Sequence, residues 1–449
     1  MNPRRLLRAL MAALLVAVGL VAPPRSASAD PGSPLEVRIG AVSTPVLNFS
    51  DPAQVVQISG TLTNTSTTRL TDLVVHFWRL PVPITSTKQL DALRADTPIG
   101  ARVTDLTSLS EIDALGPGER APFTVQASIA QLTSADDPLT RDGAVYLIGA
   151  QVRGSVTTSS GRSTVGADTF PIAATRLAVE SSAVVSLTAR PSWLPDGGFR
   201  DSSLADDLDG RLDILLSSGE RPGIQVAIDP ALYDAALRMS GPHVVAGEEV
   251  TGNGIALRWV QRVDALIAEG RVWRLPYGNP DLMRADASGL LQQTLASSRT
   301  AGAGILHDLR DAVILDGATG HVVAQLGEFD TVIVRDATGA EPGPPRILGA
   351  VASDKATSAP DGHELATLLS EDFLSPRPPL YIIDTVRSAE VDRDLAAWRT
   401  LVAPTATPAE PLAWEQQETA PWPEVAKALA EADADAALQG DLTGSPPPT

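Results

Sequence analysis

The sequence predicts two folded parts, an N-terminal immunoglobulin-like β-sandwich followed by a parallel α/β domain, TIM-barrel-like or an incomplete barrel. Three observations carry this. Up to about residue 178, short stretches alternate apolar and polar residues with period two and are punctuated by Gly, Pro and Asn turns. Beyond it, short β-branched runs alternate with amphipathic helical stretches over some 220 residues, the pattern of βα units around a parallel sheet. Hydrophobic residues make up 43% of the chain and charged residues 20%, enough apolar material for separate cores in a chain of 449 residues.

The chain opens with Arg4, Arg5 and Arg8, then an uncharged apolar run at 9–22, then Ala27-Ser28-Ala29 before Asp30. A basic n-region, an apolar core shorter than the roughly 20 residues of a membrane span, and a small-x-small cleavage pattern make a secretory signal peptide over 1–29. Removing it takes away four arginines and no acids, so the net charge of −19 becomes −23. Such a chain repels phosphate backbones and anionic lipid surfaces, so nucleic acid is not an expected partner. No later stretch reaches 18 apolar residues, and no membrane span is expected after cleavage. There is no cysteine, so an exported protein of this sequence holds together by burial and hydrogen bonding, without disulfides or thiol chemistry.

The β-sandwich is expected over 30–178. Leu35-Glu36-Val37-Arg38-Ile39 alternates as a half-buried strand. A strand at 55–63 follows, with Val56, Ile58 and Leu62 pointing inward and Gly60 at a bulge. Turn residues at 64–68 precede a strand at 73–78, and a short helix is expected within 85–112. Leu115-Gly116-Pro117-Gly118 turns into a strand at 123–129, and 145–152 is the last long apolar strand. Asn48-Phe49-Ser50 and Asn64-Thr65-Ser66 match glycosylation acceptors but read as turns.

The α/β domain is expected over 179–402. Strands are placed at 184–187, 222–229, 271–275, 312–315, 331–334, 347–351 and 380–383. Helices are placed at 230–239, with Pro230 in the first turn, and at 289–298, 364–369 and 391–401. The clearest helix, 255–268, sets Leu257, Val260, Val263, Leu266 and Ile267 on one face. Residues 403–449 carry many acids and prolines and a single basic residue, Lys427, which reads as a poorly ordered tail.

Several short motifs recur in a fixed order: Leu62-Thr63-Asn64, Leu115-Gly116-Pro117-Gly118, Phe199-Arg200-Asp201 with Leu204, Gly210-Arg211-Leu212, Ile228-Asp229-Pro230-Ala231-Leu232, and Leu275-Pro276-Tyr277 with Pro280-Asp281. Together they resemble an uncharacterised family of exported actinobacterial envelope proteins, a domain of unknown function, over most of residues 35–400. The resemblance implies a β-sandwich plus barrel-like domain outside the cytoplasm. Members of that family often carry an acid where this chain has Asn279, and longer ones continue into a membrane-spanning C-terminus. No activity is established for the family, so the resemblance brings over no catalytic residue.

In parallel α/β domains ligands bind at the carboxyl ends of the strands. Asp229, Asp316 and Asp384 stand where expected strands end; Asp354 follows a fourth, and Asp281 follows the Leu275-Pro276-Tyr277 exit. Asp229, Tyr277, Asp281, Asp316 and Asp354 are the candidate ligand-binding residues. Carboxylates can accept hydrogen bonds from sugar hydroxyls, and Tyr277 or Trp273 can pack on a pyranose face. Turn and N-cap chemistry explains each aspartate separately. The five histidines form no HExxH or HxxxH, and no GxSxG, P-loop or dinucleotide fingerprint occurs, so neither metal nor cofactor is expected. Two functions follow from these residues. One is an exported, non-catalytic protein of the cell envelope binding wall glycan or an envelope protein; the other is a glycoside hydrolase using the strand-end aspartates, for which a carboxyl pair about 5–9 Å apart in an open cleft is diagnostic.

Overall fold

The computed structural model describes residues 33–404 except 96–99, 106–108, 135–137, 157–160, 195, 303, 336–339, 342–345 and 352–361. The expected signal peptide, the acidic tail and Asp354 lie outside the described residues. The chain divides into two compact units. One runs to Leu177 and also takes in 361–374; the other comprises 178–360 and the chain from Ser375.

The first unit is built on two sheets. Its strands are β1 (Leu35–Val42), β2 (Val46–Leu47), β3 (Val55–Asn64), β4 (Leu70–Arg79), β5 (Ala101–Arg102), β6 (Leu109–Leu115), β7 (Arg120–Ser128), β8 (Ala144–Val156) and β9 (Ser163–Ala174). β1, β3 and β7 form an antiparallel sheet; the second runs β2-β9-β8-β4-β5, with β6 also on β4. The period-two patterns explain the packing. Phe123, Val125 and Ala127 of β7 and Val56, Ile58 and Leu62 of β3 share one core with Phe77, Tyr146, Ile148 and Phe170 of the second sheet.

The bulge expected at Gly60 lies instead on the partner strand, between Ile39 and Ala41 of β1, while β3 passes through Gly60 in register with Phe123. Gly60 is required for close approach: a Cβ there would stand 2.2 Å from the Arg38 carbonyl oxygen and 2.8 Å from the Phe123 ring. Asn64 is buried, with its amide donating to the Thr68 and Leu115 carbonyls and its oxygen accepting from the Ser66 amide. It pins the turn and offers no amide for glycan attachment.

The helix Gly362–Leu374, expected inside the α/β domain, belongs to the first unit. Ala366 joins the shared core of the two sheets, the His363 ring meets Phe170 edge-on with centroids 4.9 Å apart, and Glu371 pairs with Arg94 at 2.8 Å. Gly362 passes so close to the Val42 carbonyl that a Cβ would lie 2.0 Å from its oxygen. The segment 179–402 is therefore not one continuous domain. Helical periodicity told which residues share a face, not which sheet that face would meet.

The second unit is a parallel α/β barrel. Its strands are β10 (Val179–Leu187), β11 (Gln225–Ile228), β12 (His243–Val245), β13 (Glu248–Val250), β14 (Val272–Arg274), β15 (Arg310–Leu315), β16 (Thr331–Arg335), β17 (Ala340–Glu341), β18 (Arg346–Val351), β19 (Leu380–Ile383) and β20 (Arg399–Leu401). Parallel pairing runs β10-β11-β14-β15-β16-β18-β19 and returns to β10, so seven strands close a ring. β20 pairs with the start of β10 at Val179–Ser181, below the point where β19 takes over at Ser182. Alternate residues Val184, Ala227, Trp273, Ala312, Ile333, Leu348 and Ile382 fill the interior. The opposite faces, including Val185, Val226 and Val272, pack on the surrounding helices.

Two local expectations are corrected. The helix expected at 391–401 is Val386–Leu395, and the chain then turns into β20. In the helix Gly254–Ala268 the buried stripe is Ala256, Trp259, Val260, Val263 and Leu266, whereas Leu257 is 45% exposed. Trp259 carries more apolar area than Leu257, and its burial rotates the inward face by one position.

Candidate functional site

The candidate residues stand at the carboxyl ends of the barrel strands, in two groups. The first lies over β11 and β14. Asp229 follows Ile228, and its amide donates to the Leu187 carbonyl at the end of β10. Its backbone is extended (φ −72°, ψ 118°), and Pro230 occupies the first turn of the helix Pro230–Ser240. One carboxylate oxygen, Oδ1, accepts from the Ala231 amide at 2.9 Å and the Gly278 amide at 2.8 Å. Asp229 thus caps its own helix and ties down the loop after β14. In that loop Gly278 (φ 75°) and Asn279 (φ 42°) both take left-handed conformations, which the Asp229 bond helps to hold.

Tyr277 belongs to the same group. Its amide donates to Ser298 Oγ at 2.5 Å, and its ring lies against Gly302, where a Cβ would meet Tyr277 Cδ2 at 3.6 Å and the Pro230 Cβ at 3.1 Å. Burial raises the Tyr277 hydroxyl above its ordinary pKa, aided by the charges of Asp234 and Asp229.

The second group spans β15, β16 and β19. Arg335 at the end of β16 reaches Asp316 after β15 (Nε–Oδ1 2.6 Å) and Asp384 after β19 (Nη2–Oδ2 2.7 Å). Asp316 is almost wholly exposed (87%), while Arg335 and Asp384 are mostly covered. Arg335 was not among the expected site residues. Its signal in the sequence is an arginine immediately after the apolar run Val332-Ile333-Val334, at the position in the strand where the aspartates stand in the others.

Among the described residues, Asp281 is bonded to neither group. It is exposed and caps the helix Leu282–Ala287 by accepting from the Arg284 amide at 2.9 Å. Trp273 fills the barrel interior at 5% exposure and offers no ring face to a sugar. Its neighbour Arg274 points outward and donates to the carbonyls of Ser298, Arg299 and Ala301, capping the end of the helix Leu291–Thr300. Among the described residues, no three His, Asp or Glu side chains gather closely enough to hold a metal ion.

Asp229 has one further property. Burial pushes its pKa up to about 6, against the two amide bonds that favour the ionised form. In the first unit, burial likewise pushes Asp168, which accepts from the Ile39 amide, up to about 6. Both folded values exceed the unfolded value of about 3.9, so the folded state binds more protons between these limits. The stability contributed by each proton is complete below about pH 3.9 and is lost as pH rises through about 6, an order of 2–3 kcal/mol per group. Asp229→Asn keeps an oxygen for both amides and carries no charge. The variant is expected to melt near wild type at pH 4.5 and above it at pH 7.5. Thermal melts across this range check it; a variant less stable than wild type at pH 7.5 contradicts it.

No family model matches the chain, and no curated protein matches it. Among solved structures it is similar to a β-glucuronidase of Bacteroides uniformis, at 13% identity and TM-score 0.20, covering 67% of this chain and 37% of that one. A β-glucosidase of Listeria innocua matches at 15% identity and TM-score 0.20, covering 32% of this chain and 16% of that one. The CARDB domain of a Pyrococcus furiosus protein matches at 13% identity and TM-score 0.17, covering 31% and 84%. The chain thus spans well under two thirds of the length of either glycosidase.

Proposed function

We propose that this is an exported cell-envelope protein that binds wall glycan or an envelope protein partner without catalysis. One observation carries the reading: each described strand-exit aspartate is engaged in structure. Asp229 and Asp281 cap helices, and Asp316 and Asp384 share Arg335. A hydrolase needs a carboxyl pair poised on either side of a bond; these carboxylates hold helices and loops in place. In this reading the first unit is an immunoglobulin-like accessory module, and the chain belongs with the exported actinobacterial envelope proteins it resembles. No described helix is long and apolar enough to cross a membrane.

The test is a pull-down and glycan-binding assay on residues 30–449, run beside hydrolysis of purified cell wall. Binding without product supports the reading, and release of sugar overturns it. Export itself predicts a mature chain beginning at Asp30. Intact-mass measurement of the secreted product is expected to show loss of residues 1–29, and a full-length mass in the membrane fraction contradicts it.

One observation favours the hydrolase instead. Asp229 combines burial, a strand-exit position and a pKa near 6, the attributes of a general acid. Under that reading Asp229→Asn abolishes turnover while remaining folded. Under the binding reading it leaves ligand affinity unchanged.

A further inference from the structure

On the face of the second sheet that points away from the core it shares with the first, three arginines and a histidine gather on a molecule whose net charge is −19. β4 runs between β8 on one side and β5 and β6 on the other. His76 of β4 stands opposite Gln151 of β8; two residues back, Val74 stands opposite Arg153, and two residues on, Trp78 stands opposite Arg102 of β5. Residues directly opposite in a sheet, and those two apart along a strand, share a face. His76, Gln151, Arg153 and Arg102 therefore lie together. Arg153 also donates through Nη2 to the carbonyl of Arg162, bringing that residue to the edge of the group.

Among the described residues, none of Arg102, Arg153 and Arg162 forms an ion pair, although Arg211, Arg262, Arg299, Arg387 and Arg393 on the second unit's helices do. Three carboxylates border the face: Glu111 of β6, opposite Val74, Asp113 two residues further along β6, and Asp72 in the bulge of β4. Among the described residues none of these acids pairs with the three guanidinium groups, whose forks match an oxyanion with two or three acceptor oxygens.

We propose that Arg102, Arg153 and Arg162, with His76, form a binding face for a phosphoryl oxyanion. A phosphoryl group fits better than a single carboxylate because its charge and its oxygens can engage more than one guanidinium at once. The acidic remainder of the molecule does not forbid this, since charges more than about 8–10 Å away are largely screened at physiological salt. The face is separate from the barrel and goes beyond the binding reading above.

His76 reports on occupancy. Burial, and then the charges of Arg102, Arg153 and Arg162, hold its pKa below the ordinary value, against a hydrogen bond to the Val103 backbone. An anion on the arginines cancels their push, so His76 gains a proton as the anion binds, and by reciprocity the anion binds more tightly to protonated His76.

The experiment follows the His76 ring resonance by NMR, assigned with His76→Gln, across pH with inorganic phosphate or with sodium chloride at equal ionic strength. Phosphate is expected to move the His76 titration upward by about one unit, a tenfold linkage. Arg102→Gln and Arg153→Gln, at partly exposed positions where folding is checked by melting, are each expected to weaken phosphate binding about tenfold. An unmoved His76 titration overturns the proposal, as does phosphate binding that survives both substitutions together. Sedimentation with phosphatidylglycerol vesicles, set against phosphatidylcholine and competed by phosphate, distinguishes the source. Competed sedimentation assigns the face to a lipid headgroup, and its absence beside an intact phosphate response assigns it to a soluble or polymer-borne phosphate.

Discussion

Asp392→Asn is expected to lower the melting temperature of the barrel unit by about 6–20 °C. Asp392, on the helix Val386–Leu395, is 3% exposed at its side chain and pairs with both Arg221 and Arg399. The Arg399 side chain is 1% exposed, and its guanidinium lies over the Tyr381 ring, 5.5 Å from the centroid. Removing this negative charge takes a buried ion-pair partner from a guanidinium 1% exposed, which costs about 3–5 kcal/mol, and each kcal/mol shifts the melting temperature of a unit this size by about 2–4 °C. The loss acts where β20 joins β10, because Arg399 opens β20 and stands opposite Val179. Replacing the fully buried pair with apolar residues, Asp392→Leu with Arg399→Met, is expected to recover much of the loss, since only Arg221, whose side chain is 29% exposed and reachable by water, then loses a counter-ion. Thermal melts of the three variants decide it. A single-variant shift under about 2 °C would mean the pair is solvated and contributes little.

Residues 30–178 expressed without the helix Gly362–Leu374 are expected to be far less stable than the same piece with that helix fused to it. The helix buries Ala366, Leu369 and Leu374, and Leu374 packs in a cluster with Trp78, Leu80, Val145 and Leu147. Burying two leucines alone is worth about 3–6 kcal/mol, a large part of the stability of a domain this size. The fragment lacking the helix should bind a hydrophobic dye and melt early or without cooperativity; the fused form should melt cooperatively with a β-type circular dichroism spectrum. Equal melting of the two would show that the helix is an appendage. Within the full chain, Leu369→Ala tests the same point and is expected to cost about 2–5 kcal/mol, read out in the β unit.

Much of the secondary structure was legible because its signals are local. The strand at 55–63 and the alternation through Phe123 and Val125 follow from period-two patterning. The start of the helix at Pro230 follows from Asp-Pro, where an acceptor side chain precedes a residue with no N–H to satisfy. The seven runs expected as strands in the second half are those that close the ring, since parallel strands covered on both faces read as short apolar runs. The hairpin of β12 and β13 was not legible: its strands are three residues long and largely exposed, too short for alternation to register.

The candidate site was legible only as a set of positions. That Asp229 and Tyr277 would stand together, and that Asp281 would serve its own helix, depends on bonds from Gly278 and Arg284 that spacing along the chain cannot reveal. Arg335 went unseen because a lone arginine after an apolar strand has no distinguishing local pattern, and its meaning arises only when β15, β16 and β19 bring two aspartates within its reach.

By itself, the sequence determined the absence of disulfides, the change from β-only to alternating β and α near residue 178, and the strand-end places of the acids. Only the tertiary structure decided that 362–374 would cover the β unit, that β19 would return to β10, and which aspartates would cap a helix and which would share an arginine. The physical reason is one of range. Propensity, capping and periodicity act over a few residues and are written in their order, whereas burial and charge pairing act between surfaces that meet only when the chain has folded.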